Sequence, residues 1–198
     1  MKGSWDLAVA GEAMVSRPFS MHDEPEFLGL AELLRSADFT YTHLEMNFGS
    51  FGGGAWPARG GSTGSFMLAD PAAANDLRWL GVDAMSLAHN HSLDFGATGI
   101  RSTIAACLAA GIACAGTGND LEEARGPAYV ETRRGRVALI SMASGNTPDE
   151  WAGLAKGTMP GRPGVNPLRV NTTYTVPADA FRQLTEIGEG LGILRRGP

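Results

Sequence analysis

Cysteine is nearly absent from this chain: there are two in 198 residues. Cys107 and Cys114 lack the CxxC spacing of a zinc site, and their apolar neighbours mark them as buried thiols rather than a disulfide. That scarcity argues against a disulfide-stapled secreted fold and favours a reducing, cytoplasmic setting. No apolar run reaches the ~18 residues a membrane-spanning helix needs, so no direct membrane anchor is expected. The N-terminal "MKGSWDLAVAGEAMV" has one lysine and a short apolar run ending in Gly-Glu, which reads as a strand rather than a signal peptide. Positive charge is also short. A net charge of −5 argues against nucleic-acid binding through phosphate contacts. What remains is globular: 43% hydrophobic residues, no internal repeat, and a length that suits one domain over 1–198 with a sizeable core.

Apolar runs and glycine or proline punctuation divide the chain into alternating elements. "DLAVAG" (6–11), "DFTYTHLE" (38–45), "VDAMSLA" (82–88) and "IACAG" (112–116) read as short strands. "PEFLGLAELLRSA" (25–37), "DPAAANDLRWLG" (70–81) and "GATGIRSTIAACLAAG" (96–111) read as helices between them, the second with Asp70 as N-cap. Residues 128–144 read as two strands joined by a turn at Arg134 and Gly135. Residues 169–176 read as a further strand, and 177–194 as an amphipathic helix. The glycine-dense stretch Gly49 to Ser65 reads as a mobile loop. Such alternation implies an α/β fold with parallel strand pairs, whose ligands bind beyond the C-terminal strand ends.

Three of those strand ends carry metal-capable side chains. The first ends at Glu12, the second at His43 and Glu45, and the third in "SLAHNHSLDFG" with His89, Asn90, His91 and Asp94. Carboxylates and imidazoles suit Zn²⁺, Mn²⁺ or Fe²⁺, and a carboxylate can bridge two ions. Each residue also has a structural reading. Glu12 can be a solvated loop residue or a helix cap, and Glu45 can pair with Arg17 or Arg59. His43 can be a packed, hydrogen-bonded histidine, and Asp94 can cap the helix near Gly96. Weaker signals are a G-x-S-x-G match at Ser62 and a G-x-G from Gly116 that lacks the third glycine of a dinucleotide fingerprint. Trp56, Trp79 and Trp151 read as core or lid residues.

The motifs together resemble a known family. "VAGEAMVSR", "ADFTYTHLEMNFG" and "GVDAMSLAHNHSLDFGATGI" occur in the order found in the CapA group of capsule-synthesis proteins, within the calcineurin-like metallophosphoesterase superfamily. The resemblance implies a metallophosphatase-like layered α/β sandwich with two divalent ions at the strand ends: Mn, Zn or Fe, with Ca or Mg as alternatives. Carried over by position, Glu12, Glu45, Asn90 and His91 would be metal-site residues, and Asp94 and Arg17 would support them. His91, His89 and His43 would do catalytic work, the last two as general acid or base. The family usually has Asp where Glu12 stands and Asn where His43 and His89 stand.

Family members are longer, and their second half carries further histidines, whereas none follows His91 here. The resemblance therefore implies an N-terminal portion, completed by a complementary C-terminal half chain or by self-association. It implies a metal-dependent hydrolase acting on an anionic polymer or peptide such as poly-γ-glutamate. Its rivals are a non-catalytic scaffold component and a metal-dependent peptide epimerase.

Overall fold

The structure, a computed structural model, describes residues 4–58 and 65–193. Ser62, Arg59 and the centre of the glycine-dense stretch lie outside them. The chain divides into two compact units, Met1–Leu168 and Arg169–Pro198. The first runs β1 (Leu7–Ala13), α1 (Pro25–Ser36), β2 (Phe39–Leu44), β3 (Asn47–Phe48), β4 (Leu68–Ala69), α2 (Ala73–Trp79), β5 (Ala84–Ser86), α3 (Gly96–Ala109) and β6 (Ala113–Ala115). It continues through β7 (Thr117–Gly118), α4 (Leu121–Arg125), β8 (Ala128–Thr132), β9 (Gly135–Leu139) and β10 (Gly164–Val165). The second unit contains α5 (Ala178–Gly190), whose Phe181, Leu184, Ile187 and Leu191 recur at helical spacing and are exposed.

Strands β1, β2, β5 and β6 form one sheet in the order β1-β2-β5-β6, every pair parallel. Parallel neighbours need a crossover, and α1, α2 and α3 supply them in turn. The result is the layered, mixed α/β architecture of a metallophosphatase-like fold, with all four strand ends of like polarity on one edge. Alternation along β2 sorts its side chains. Thr40, Thr42 and Leu44 face the helices, where Leu44 joins Leu77, Val82, Met85, Cys107 and Ile112 in the core. Both cysteines are free, Cys107 buried and Cys114 half-buried, as their neighbours implied.

Tyr41 and His43 face the other way, and that side of the sheet is open along β1. Leu7 is 59% and Val9 72% exposed, and they border a groove of about 500 Å³ shared with Tyr41, Val137 and Leu139. Parallel sheets are normally covered on both faces.

Two differences from the sequence reading have simple causes. Residues 169–177 form no strand, despite their Val, Thr and Tyr content. A β-prone composition forms a strand only where another edge pairs with it. The helix expected over 70–81 is regular only from Ala73 to Trp79, because Asp70 caps the preceding turn, its carboxylate accepting from the Ala72 N–H at 2.8 Å. Among the described residues no helix is long and apolar enough to cross a membrane.

A buried carboxylate ties the long β1–α1 connection to the helical layer. Asp76 on α2 accepts from the Phe19 N–H at 2.6 Å, the Ser20 N–H at 3.3 Å and the Ser20 hydroxyl at 2.8 Å. Removing it strands these donors, a cost of about 1–3 kcal/mol. Urea denaturation of Asp76→Ala is expected to show that loss, whereas an unchanged midpoint would mean the connection does not depend on the anchor.

Candidate functional site

Because β2 and β5 run parallel in register, His43 lies beside Ser86, and Glu12 lies beside His43 on the other flank. Residues beside one another in register project to the same face. The end of β2 thus brings its imidazole to the rim where β5 runs out into the turn "LAHNHS".

That turn is held by Ser92. Its buried hydroxyl accepts from the His89 N–H at 2.9 Å and lies 2.7 Å from the carbonyls of both Leu87 and His89. Two residues on, Asp94 is 1% exposed. Its carboxylate accepts from His91 Nδ1 at 2.8 Å and from the Met67 N–H at 2.8 Å. Helix α3 begins after it with no side-chain cap, so the capping reading of Asp94 gives way to one in which it grips an imidazole.

The tautomers follow from these bonds. His91 Nδ1–H donates to the Asp94 carboxylate, which leaves the Nε2 lone pair of His91 free. A carboxylate behind an imidazole is the usual way a ligand histidine is oriented. His89 is the reverse. Its Nδ1 accepts from the His91 N–H at 3.1 Å, so the proton of a neutral ring sits on Nε2. His43 is engaged at both ends: Nε2 lies 2.5 Å from Glu45 Oε2, and Nδ1 lies 2.5 Å from Ser86 Oγ. Tyr41 OH reaches the same Ser86 oxygen at 2.8 Å. With Nε2–H donating to the Glu45 carboxylate, Ser86 donates to Nδ1 and Tyr41 donates to Ser86. The four side chains form one directed chain that fixes Glu45 Oε2 and leaves Oε1 available.

The rings of His43 and His89 meet edge to face with centroids 5.3 Å apart. His43, Glu45, His89, His91 and Asp94 are therefore contiguous. Asn90, half-buried, lies between the two histidines of the turn. Glu12 and Arg17 are exposed, and neither makes a side-chain bond to these residues. Glu45 pairs with His43 rather than with Arg17. Among the described residues no three His, Cys, Asp or Glu side chains converge as the ligands of one ion. The donor types nevertheless suit a divalent ion: one imidazole lone pair on His91, one free carboxylate oxygen on Glu45, and the neutral amide of Asn90.

Sequence reasoning passed over Ser86, Tyr41 and Asn146. Tyr41 and His43 alternate along one strand, which was the available signal for the first two. Asn146 is buried in the loop after β9, and its amide donates to the His89 carbonyl at 3.2 Å. Only the fold brings it there.

A family model described as bacterial capsule synthesis protein PGA_cap matches residues 6–187. The chain belongs to that family. It is 36% identical over 188 residues to the uncharacterized protein y4sH of Sinorhizobium fredii, a match covering 93% of this chain and 40% of that protein. It is 37% identical over 102 residues to the probable polyglutamine synthesis accessory protein MT0602 of Mycobacterium tuberculosis, covering 50% of this chain and 26% of that one. The chain thus spans less than half the length of these relatives of the capsule-synthesis family.

His89 stands out electrostatically in this family member. Burial, with the neighbouring His43 and His91, lowers its pKa to about 3. It is neutral at physiological pH, and its Nε2–H is a hydrogen-bond donor rather than an efficient proton shuttle. The unfolded chain takes up a proton as pH falls through about 6.5, while the folded chain refuses it until about 3. Stability from this group is therefore complete above pH 6.5 and falls across that window by up to about 1.4 kcal/mol per pH unit. The urea midpoint is expected to drop between pH 7 and pH 5, and less so in His89→Gln. Equal slopes in the two proteins would show that His89 is free to protonate.

Proposed function

We propose that this chain acts in capsule or poly-γ-glutamate synthesis as a metal-dependent, hydrolase-like protein. The single observation that carries this is the Asp94–His91 pair, which holds one imidazole with its Nε2 lone pair free, in the same contiguous cluster as the fixed carboxylate of Glu45. Family membership and the resemblance to a polyglutamine synthesis accessory protein support the biological setting. His91, Glu45 and Asn90 would hold a divalent ion, with Glu12 as a further carboxylate at the neighbouring strand end. When bound, such an ion polarises an ester, phosphoester or amide-type group and lowers the pKa of a coordinated water.

The chain's own residues have distinct tasks. Asp94 keeps the proton on His91 Nδ1 and the ring in place. Tyr41, Ser86 and His43 orient Glu45 through their chain of hydrogen bonds. His89, neutral, offers its Nε2–H to negative charge developing on a substrate oxygen. An anionic polymer or peptide is the proposed substrate.

A second reading has one observation in its favour. Two of the three imidazoles at the site have no free lone pair, and three ligands do not converge. On that reading the chain is a binding component without a metal.

Isothermal titration with Mn²⁺ or Zn²⁺ separates the two. The enzyme reading expects saturable binding that is lost in His91→Ala and weakened about 10–100-fold in Asp94→Asn, the usual cost of losing the carboxylate behind a ligand imidazole. Absence of saturable binding by the folded wild-type chain would leave the binding-component reading standing.

A further inference from the structure

Two nucleophilic side chains take no part in the strand-end cluster: Cys107 near the end of α3 and Cys114 in the middle of β6. The turn between them brings them together. Helix α3 closes with two bonds, Ile112 N–H to the Cys107 carbonyl at 2.9 Å and Gly111 N–H to the Leu108 carbonyl at 3.0 Å. Gly111 takes φ +75 inside that closure. Paired bonds around a left-handed glycine fold the chain sharply back from the helix into the strand. Cys114 then lies beside Met85 in register, so both project to the same face of the sheet. Met85 and Cys107 belong to the core under the helices, and Cys114 packs against it. The helix thus lowers one sulfur towards the strand that raises the other, and the two thiols share a hydrogen bond.

Their settings differ. Cys107 is fully buried, whereas Cys114 is half-buried, and its strand stands last in the order β1-β2-β5-β6. The Cys107 S–H donates to Cys114 and lowers the pKa of that thiol, against the opposing effects of burial and the Glu123 carboxylate. The same bond, with burial, raises that of Cys107. The half-buried sulfur therefore ionises first, and the buried one keeps its proton. Disulfide formation uses such a pair in that order, one sulfur to attack and one to resolve.

We propose that Cys107 and Cys114 form a reversible dithiol–disulfide pair, oxidised by a small peroxide that reaches Cys114 from the sheet edge. The Cys114 thiolate attacks one oxygen of hydrogen peroxide. The O–O bond breaks, hydroxide leaves, and Cys114 becomes a sulfenic acid. The Cys107 sulfur then attacks the Cys114 sulfur. The S–S bond forms, the S–O bond breaks, and the departing hydroxide takes the Cys107 proton as water. Overall, two thiols are oxidised and one peroxide is reduced to two waters. A reducing thiol reverses the bond by exchange. The oxidised pair ties the end of α3 to β6. It uses no metal and none of the strand-end residues, so it stands apart from the proposed metal chemistry.

The folded full chain, treated with stoichiometric hydrogen peroxide, then unfolded and alkylated with iodoacetamide, tests this by mass spectrometry. Both cysteines fall in the tryptic peptide Ser102–Arg125. That peptide is expected to be lighter than the dithiol form by about 2 Da and to carry no alkyl group, and dithiothreitol should restore two alkylation sites. Cys107→Ser should leave a Cys114 sulfenic acid that dimedone traps. Cys114→Ser should leave Cys107 as an unoxidised thiol. The wild-type measurement needs no variant to fold. Two alkylatable thiols after peroxide, a disulfide linking two chains, or a Cys114 sulfinic acid beside an untouched Cys107 would each overturn the proposal.

Discussion

The buried carboxylate of Asp94 is the constraint on which the candidate site depends. A carboxylate with almost no exposure is tolerable only when its oxygens have donors. Asp94 finds them in the His91 ring and the Met67 backbone, and its own carbonyl accepts from the Ala58 N–H at 2.7 Å. One residue therefore joins the turn after β5, the segment leading into β4 and the near side of the glycine-dense stretch. Ser92 adds the internal bonds of the turn. Where His91 points is settled by these buried bonds, not by the exposed residues around it.

A second close fit sets the floor beneath that turn. Gly116, at the end of β6, has φ +110, and a Cβ there would collide with Ala88 and the Ser141 hydroxyl. Its carbonyl accepts from the Asn166 N–H at 2.8 Å, and the Asn166 amide donates to the Ser141 carbonyl at the same distance. The loop after β9 is thus pressed against the turn after β5, which is how Asn146 comes to bond the His89 carbonyl. The apparent half of a dinucleotide motif at Gly116 is a packing requirement of this kind.

The elements legible in the sequence are those whose signal is local. Strands β1, β5 and β6 are short apolar runs bordered by glycine, β2 alternates, and α1 and α3 carry helical spacing over three turns or more. The two-residue strands β3, β4, β7 and β10 carry no such period and exist only through their partners. Helix α4 has five residues, too few for a periodic signal, yet its start was written as Asp120 followed by Glu123, and the Asp120 carboxylate does accept from the Glu123 N–H at 2.9 Å. The site divides in the same way. The strand-end rule pointed to His43, Glu45, His89, His91 and Asp94 because sequence neighbours at the ends of β2 and β5 become neighbours in space. It was silent on protonation, because whether a ring nitrogen carries a lone pair depends on Ser86, Asp94 and a backbone N–H that only the turn supplies. Leu7 and Val9 belong to the apolar run of β1 and lie exposed on the uncovered edge of the sheet.

The two charged regions sit at opposite ends of the same strands, and this separation decides how they influence one another. Asp38 borders a cleft lined by Arg35, Arg78, Arg133 and Arg134, and Glu45 the imidazole cluster, with β2 between them. Seven extended residues span roughly 20 Å. That is about twice the distance over which exposed charges act on one another at physiological salt. The cleft therefore does little to the ionisation of His89 or the donor strength of His91, whose states come from groups in direct contact.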